Sequence, residues 1–109
     1  MMYEKYLKLN PSNIDAQVDL GVTYFELGLV DSSHMLQNLH TAQHLMEQAI
    51  QRSPKHQLAL FNLGIISLHT GDMHGANEWF KKTADIDTTT QVGRKAQILL
   101  NQHTFNQPS

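Results

Sequence analysis

Cysteine is absent from this chain of 109 residues, which excludes disulfides, a thiol nucleophile and any cysteine-ligated zinc site. No apolar run approaches the ~20 residues that a membrane helix needs. The start Met1-Met2-Tyr3-Glu4-Lys5 is not that of a secretory leader. Charge of one sign is also lacking: the net value is -2 at pH 7, so nothing electrostatic points to nucleic acid or to an anionic membrane surface. No glycine-rich phosphate loop exists, since Gly64, Gly71 and Gly75 fall at helix-packing and turn positions. Asp15, Asp19, Glu26, Glu47, Glu78, Asp85 and Asp87 stand singly on polar helix faces, none paired with a histidine as general acid-base work requires. These absences leave no enzyme and no cofactor to expect. The hydrophobic share of 40% is enough for the core of one small domain.

What the chain does have is an internal repeat. Leu20-Gly21 and Leu63-Gly64 match at an offset of 43, each glycine ten residues after a proline (Pro11, Pro54), and Gly28 matches Gly71 at the same offset. Ala42 and Met46 map onto Ala76 and Phe80 at an offset of 34. The difference implies a nine-residue insertion in the first copy, at 30–38. The clean second copy, 56–87, reads as two antiparallel helices joined at Thr70-Gly71-Asp72, a glycine stop followed by an aspartate cap. Leu60, Leu63, Ile66 and Ser67 recur at helical spacing. Gly64 sits mid-helix, at a cost of ~1 kcal/mol against alanine, which makes sense if another helix approaches closely there and at Gly21. Ala42 and Ala76 offer the small matching surface, and Trp79 and Phe80 anchor the second helix.

In the first copy, 13–53, a helix is expected from Asn13 to Leu27. A second, capped by Asp31-Ser32-Ser33, should reach Arg52 with Leu36, Leu39, Ala42, Met46 and Ala49 along one face. Continuation of that stripe through Leu36 and Leu39 favours a helix lengthened by about two turns, roughly 13 Å, over an ordinary helix after a long irregular loop. Thr88-x-x-Gln91 resembles a capping box opening a last helix at 89–103, with Val92, Ala96, Leu99 and Leu100 inward and Arg94, Lys95, Gln97 and Asn101 outward. The tail 104–109 is expected to be disordered. At the other end Tyr3 to Pro11 aligns with Met46 to Pro54, so 2–10 reads as the second half of a helix pair whose first half is missing, as in an excised fragment.

These positions resemble the tetratricopeptide repeat, W-x2-L-G-x2-Y…A-x3-F…P. In the second copy Leu63, Gly64, Ala76 and Phe80 match, with Leu60 in place of the Trp, Ser67 of the Tyr and Thr88 of the closing Pro. In the first, Leu20, Gly21, Tyr24, Ala42, Ala49 and Pro54 match, with Gln17 for the Trp and Met46 for the Phe. The likeness covers 3–103. It implies an all-α solenoid of antiparallel helix pairs ending in a capping helix, one domain over 1–103, that binds other proteins. It also implies a concave groove lined by the first helix of each pair: Asp15, Val18, Val22, Phe25 and Glu26; Leu58, Phe61, Asn62, Ile65, Leu68 and His69; Val92, Lys95 and Leu99. That lining is mostly apolar and suits an amphipathic helix or a hydrophobic peptide. The clamp by which some relatives hold an acidic chaperone tail is not matched, because Val18, Val22, Val92 and Ala96 occupy its basic and amide positions and only Asn62 fits.

Two other readings stand beside this one. Two repeats with flanking half-pairs fall near the ~3 usually needed for stability, and Tyr3, Tyr6 and Leu7 seek a partner surface, so the groove is alternatively filled by a second copy in a homodimer. His40 and His44, four apart on one helix face, are metal-ligand candidates, with His34, His69 and His74 near the loop ends. No third ligand is placed by spacing, so solvent-facing histidines and no metal are expected. The compartment is left unknown by the sequence, cytoplasmic or bacterial periplasmic; the family likeness implies the second where a larger envelope protein is tethered by an upstream membrane helix.

Overall fold

The computed structural model describes residues 13–106, and every regular element among them is helical. The expected half-pair at 2–10 lies outside the described residues, as do 107–109. Helix α1 spans Ile14–Val30, and a single 3-10 turn at Ser32–His34 leads into α2, Met35–Arg52. Helices α3, Gln57–His69, and α4, Met73–Ile86, form the second hairpin, and α5 runs Gln91–Asn106. No described helix is long and apolar enough to cross a membrane.

Side chains set most of the starts. Asn13 Oδ1 accepts from the Ala16 amide at 2.8 Å, Asp72 Oδ1 from the Gly75 amide at 2.9 Å and Thr90 Oγ1 from the Gly93 amide at 3.0 Å. Each satisfies one of the free N–H groups of a first turn. The last of these corrects the expected capping box: Thr90, not Thr88, caps α5. Asp87 Oδ1 is occupied instead by the backbone amide and hydroxyl of Thr89, at 2.8 and 2.6 Å, in a local turn. The helix also continues past 103 to Asn106, with no glycine or proline between Arg94 and Asn106 to stop it. Gly71, at φ +84°, supplies the left-handed residue that ends α3.

The nine inserted residues are divided rather than added to one helix. Helix α1 has 17 residues against 13 in α3, α2 has 18 against 14 in α4, and the connection gains the one that remains. Both arms of the first hairpin are therefore one turn longer, about 6 Å, in place of a two-turn extension of α2 alone. Packing explains the division. Gly28, aligned by sequence with the turn glycine Gly71, is buried inside α1, and a Cβ there would lie 3.3 Å from Leu39 Cδ2 and from the Met35 carbonyl. The close approach of the two arms continues past the expected turn, and both stay helical to maintain it.

Helix α1 packs on α2, α3 on both α2 and α4, and α5 on α4. The first helices also touch along a row, α1 to α3 and α3 to α5, whereas α2 and α4 do not meet. The second helices are thus splayed outward, and α1, α3 and α5 form the inner face of the curve. One cluster of the core joins Val18, Ala42, Met46, Ala49, Ala59, Leu63 and Ile66, with Trp79 against it. The other joins Ala76, Phe80, Ala84 and Ala96, with Phe61, Ile65, Leu68, Leu99 and Leu100 against it. Adjacent residues Trp79 and Phe80 therefore anchor different clusters.

Polar side chains tie the helices together within and between the hairpins. Gln17, in the consensus Trp position, is buried and donates to the Leu45 carbonyl at 2.9 Å. Gln57 Nε2 donates to the carbonyls of Thr83 and Asp87, both at 2.8 Å, while its Oε1 accepts from Thr90 Oγ1 at 2.8 Å, so one amide ties α3, the end of α4 and the start of α5 together.

Candidate binding groove

Helical spacing gives each inner helix a ridge and a flank. On α1 the ridge is Asp15, Asp19, Val22, Glu26 and Leu29, recurring every three or four residues. The flank, Val18 and Phe25, turns toward α3. The equivalent ridge of α3 is Leu58, Asn62, Ile65 and His69, and its flank is Phe61 and Leu68, packed toward α4 and α5. Between the two ridges the Phe25 and His69 rings meet edge-on, with centroids 5.3 Å apart.

The residues named from the sequence divide by exposure. Val18 is fully buried in the first core cluster, and this corrects its place among the lining: it offers no surface to a partner, because α2 and α3 close over it. Phe61 is half-buried and its ring lies 5.6 Å from that of Phe80, so it packs against the second core cluster. Val22, Phe25, Asn62, Ile65, Leu68, Val92 and Leu99 are half-buried, and Leu58, Glu26, His69 and Lys95 are exposed. Asn62 Nδ2 donates to the Leu58 carbonyl at 2.8 Å, so its amide is partly satisfied along its own helix.

Two features escaped the sequence. His56 caps α3 through Nδ1, which accepts from the Ala59 amide at 3.3 Å, and its Nε2 meets Asp15 Oδ1 at 2.8 Å. The ring thereby joins the starts of α1 and α3, a capping role that histidine's low cap propensity hides. The other is the far end of the first hairpin, where Leu29, Val30 (81% exposed) and Leu36 (62%) stand open. Leu36 was expected on the inner stripe with Leu39. The fold leaves it on the surface instead.

His40 and His44 lie exposed on α2, the outer layer. Among the described residues no group of three or more His, Asp or Glu is placed to hold a metal ion. His34 is engaged in the hairpin turn, its Nδ1 2.9 Å from Asp31 Oδ2, and His74 pairs with Glu78 at 2.9 Å.

Hydrogen bonds from Ser33 and then His34 hold the Asp31 carboxyl below the ordinary aspartate range. They favour the ionised form, so the order they give the turn is present above the ordinary range and is lost as pH falls through the lowered midpoint. An NMR titration should place the Asp31 midpoint below that of a free aspartate, and Ser33→Ala should raise it. An unchanged midpoint in the variant would remove this account of the turn.

Residues 36–89 match the family model of the tetratricopeptide repeat. The match runs from the first turn of α2 through α3 and α4 to the link before α5. No curated protein matches the chain. Tetratricopeptide repeats generally mediate protein–protein interaction, and the family is typically a non-enzymatic scaffold. Helix hairpins stacked in sequence, with Gly64 and Ala76 at the small positions and Phe80 at the aromatic one, agree with that match, which supports a tetratricopeptide repeat domain in this chain.

Proposed function

We propose that this chain is an adaptor module without chemistry of its own, which receives an amphipathic helix or apolar peptide of another protein in the groove between α1, α3 and α5. The observation that carries this reading is the row of half-open apolar side chains on the inner layer, Val22, Phe25, Leu58, Ile65, Leu68, Val92 and Leu99. A soluble surface rarely keeps such a row together without a use. Burying it gives about 25 cal/mol per Å² before ordering costs.

The test is a pair of neutral substitutions, Leu58→Asn with Ile65→Asn, which leave the net charge unchanged. Peptides selected by display against the native chain should lose at least about tenfold in affinity for this variant, while its helical circular dichroism is retained. Retained affinity would place the binding face elsewhere. A second reading, self-association of two copies through the first hairpin, is favoured by the exposed Leu29, Val30 and Leu36. It predicts a dimer in light scattering that Val30→Asp converts to monomer.

A further inference from the structure

The walls of the groove differ in charge. No lysine or arginine occurs between Lys8 and Arg52, a span that holds Asp15, Asp19, Glu26, Asp31 and Glu47. Three of these lie on the α1 ridge. Asp15 is taken by His56, and the carboxylates of Asp19 and Glu26 meet no cation among the described residues. The opposite ridge, on α3, carries no formal charge, and the cation among the lining residues, Lys95, stands on α5 at the far side. An acidic ligand in this groove meets like charge along α1. A wholly apolar one strips water from two carboxylates without replacing it.

We propose that the occupant is a cationic amphipathic helix. Its apolar face lies on Val22, Phe25, Leu58 and Ile65, and its lysine or arginine flank runs along Asp19 and Glu26. This rests on the groove being the binding face. The two carboxylates are seven residues apart, about 10.5 Å along α1, so they match cations seven apart on a ligand helix lying along it. The acidic wall also raises the rate of encounter with such a ligand and makes binding fall with salt.

The probe is a fluorescent amphipathic peptide of leucine and lysine about 18 residues long, compared with the same peptide carrying glutamate for lysine. Binding is followed by anisotropy to the full chain. The lysine peptide should bind at least about tenfold more tightly than the glutamate peptide, and Asp19→Lys with Glu26→Lys should erase or invert that preference. Glu47→Lys, which reverses a carboxylate on the outer helix α2, should change it by less than about twofold. An equal loss from Glu47→Lys would mean attraction to net charge alone and would overturn the proposal. If both peptides bind equally and both are lost in Leu58→Asn/Ile65→Asn, the groove stands and its cationic ligand does not. If the lysine preference survives that variant, the groove reading itself fails. Binding of neither peptide, or a native dimer at about 100 µM that the same variant dissolves, overturns the proposal, the latter in favour of a second copy.

Discussion

Phe80→Ala is expected to lower the unfolding free energy by about 3–5 kcal/mol, most of what a domain of this size has to lose. The ring is fully buried and lies where α4 crosses α3 at Gly64. A Cβ on Gly64 would collide with three atoms of that ring, so no neighbour is free to collapse into the space that alanine leaves. Equilibrium denaturation checks the value. It also checks the cause, because Gly64→Ala alone should cost about 1–3 kcal/mol through overpacking. In the Phe80→Ala background the same change should become neutral or favourable, since the clash is gone and alanine gains ~1 kcal/mol in helix propensity. Additive effects of the two substitutions would show that Gly64 and Phe80 do not constrain one another. Gly21 is aligned with Gly64 but meets only the flexible end of Met46, at 2.8 Å from Cε, and it tolerates alanine better for that reason.

Leu39→Ala should cost about 2–5 kcal/mol and Leu36→Ser within about 0.5 kcal/mol, though both leucines belong to one sequence stripe. Leu39 is fully buried against Gly28, whereas Leu36 is 62% exposed. The comparison tests whether the lengthened hairpin is a packed element or two frayed ends. Equal small losses at both positions in thermal unfolding would mean that the extra turns contribute nothing to the core. A large loss at Leu39 alone would make the extension a rigid wall for the groove, carrying Leu29 past the end of α3.

That rigidity bears on function. The groove is only as well defined as the relation of α1 to α3. His56 on Asp15 joins α1 to α3 and Gln57 on Thr90 joins α3 to α5, while Gln17 on the Leu45 carbonyl and Gln57 on the Thr83 carbonyl close the arms within each hairpin. None touches the proposed ligand. Each spans at least 26 residues of sequence, so each fixes tertiary packing rather than a local turn.

Much was legible in the sequence because a repeat states its own packing twice. Offsets of 43 and 34 residues identified the hairpins, and the small residues Gly21, Gly64, Ala42 and Ala76 marked where helices approach. The family likeness followed from the same positions, and that likeness, rather than periodicity, implied which helices face inward and which residues are expected to line a groove. Local signals of this kind depend on neighbours within one or two turns, and a sequence carries them fully. What only the tertiary structure decided depends on neighbours far along the chain. The insertion was divided between both arms because Gly28 meets Leu39 across the hairpin, and Val18 left the groove because α2 and α3 close over it. Thr90 rather than Thr88 capped α5 because Gln57 holds its hydroxyl in place. Leu36 and Leu39 share one stripe, and only the packing of α2 on α1 separates them into surface and core.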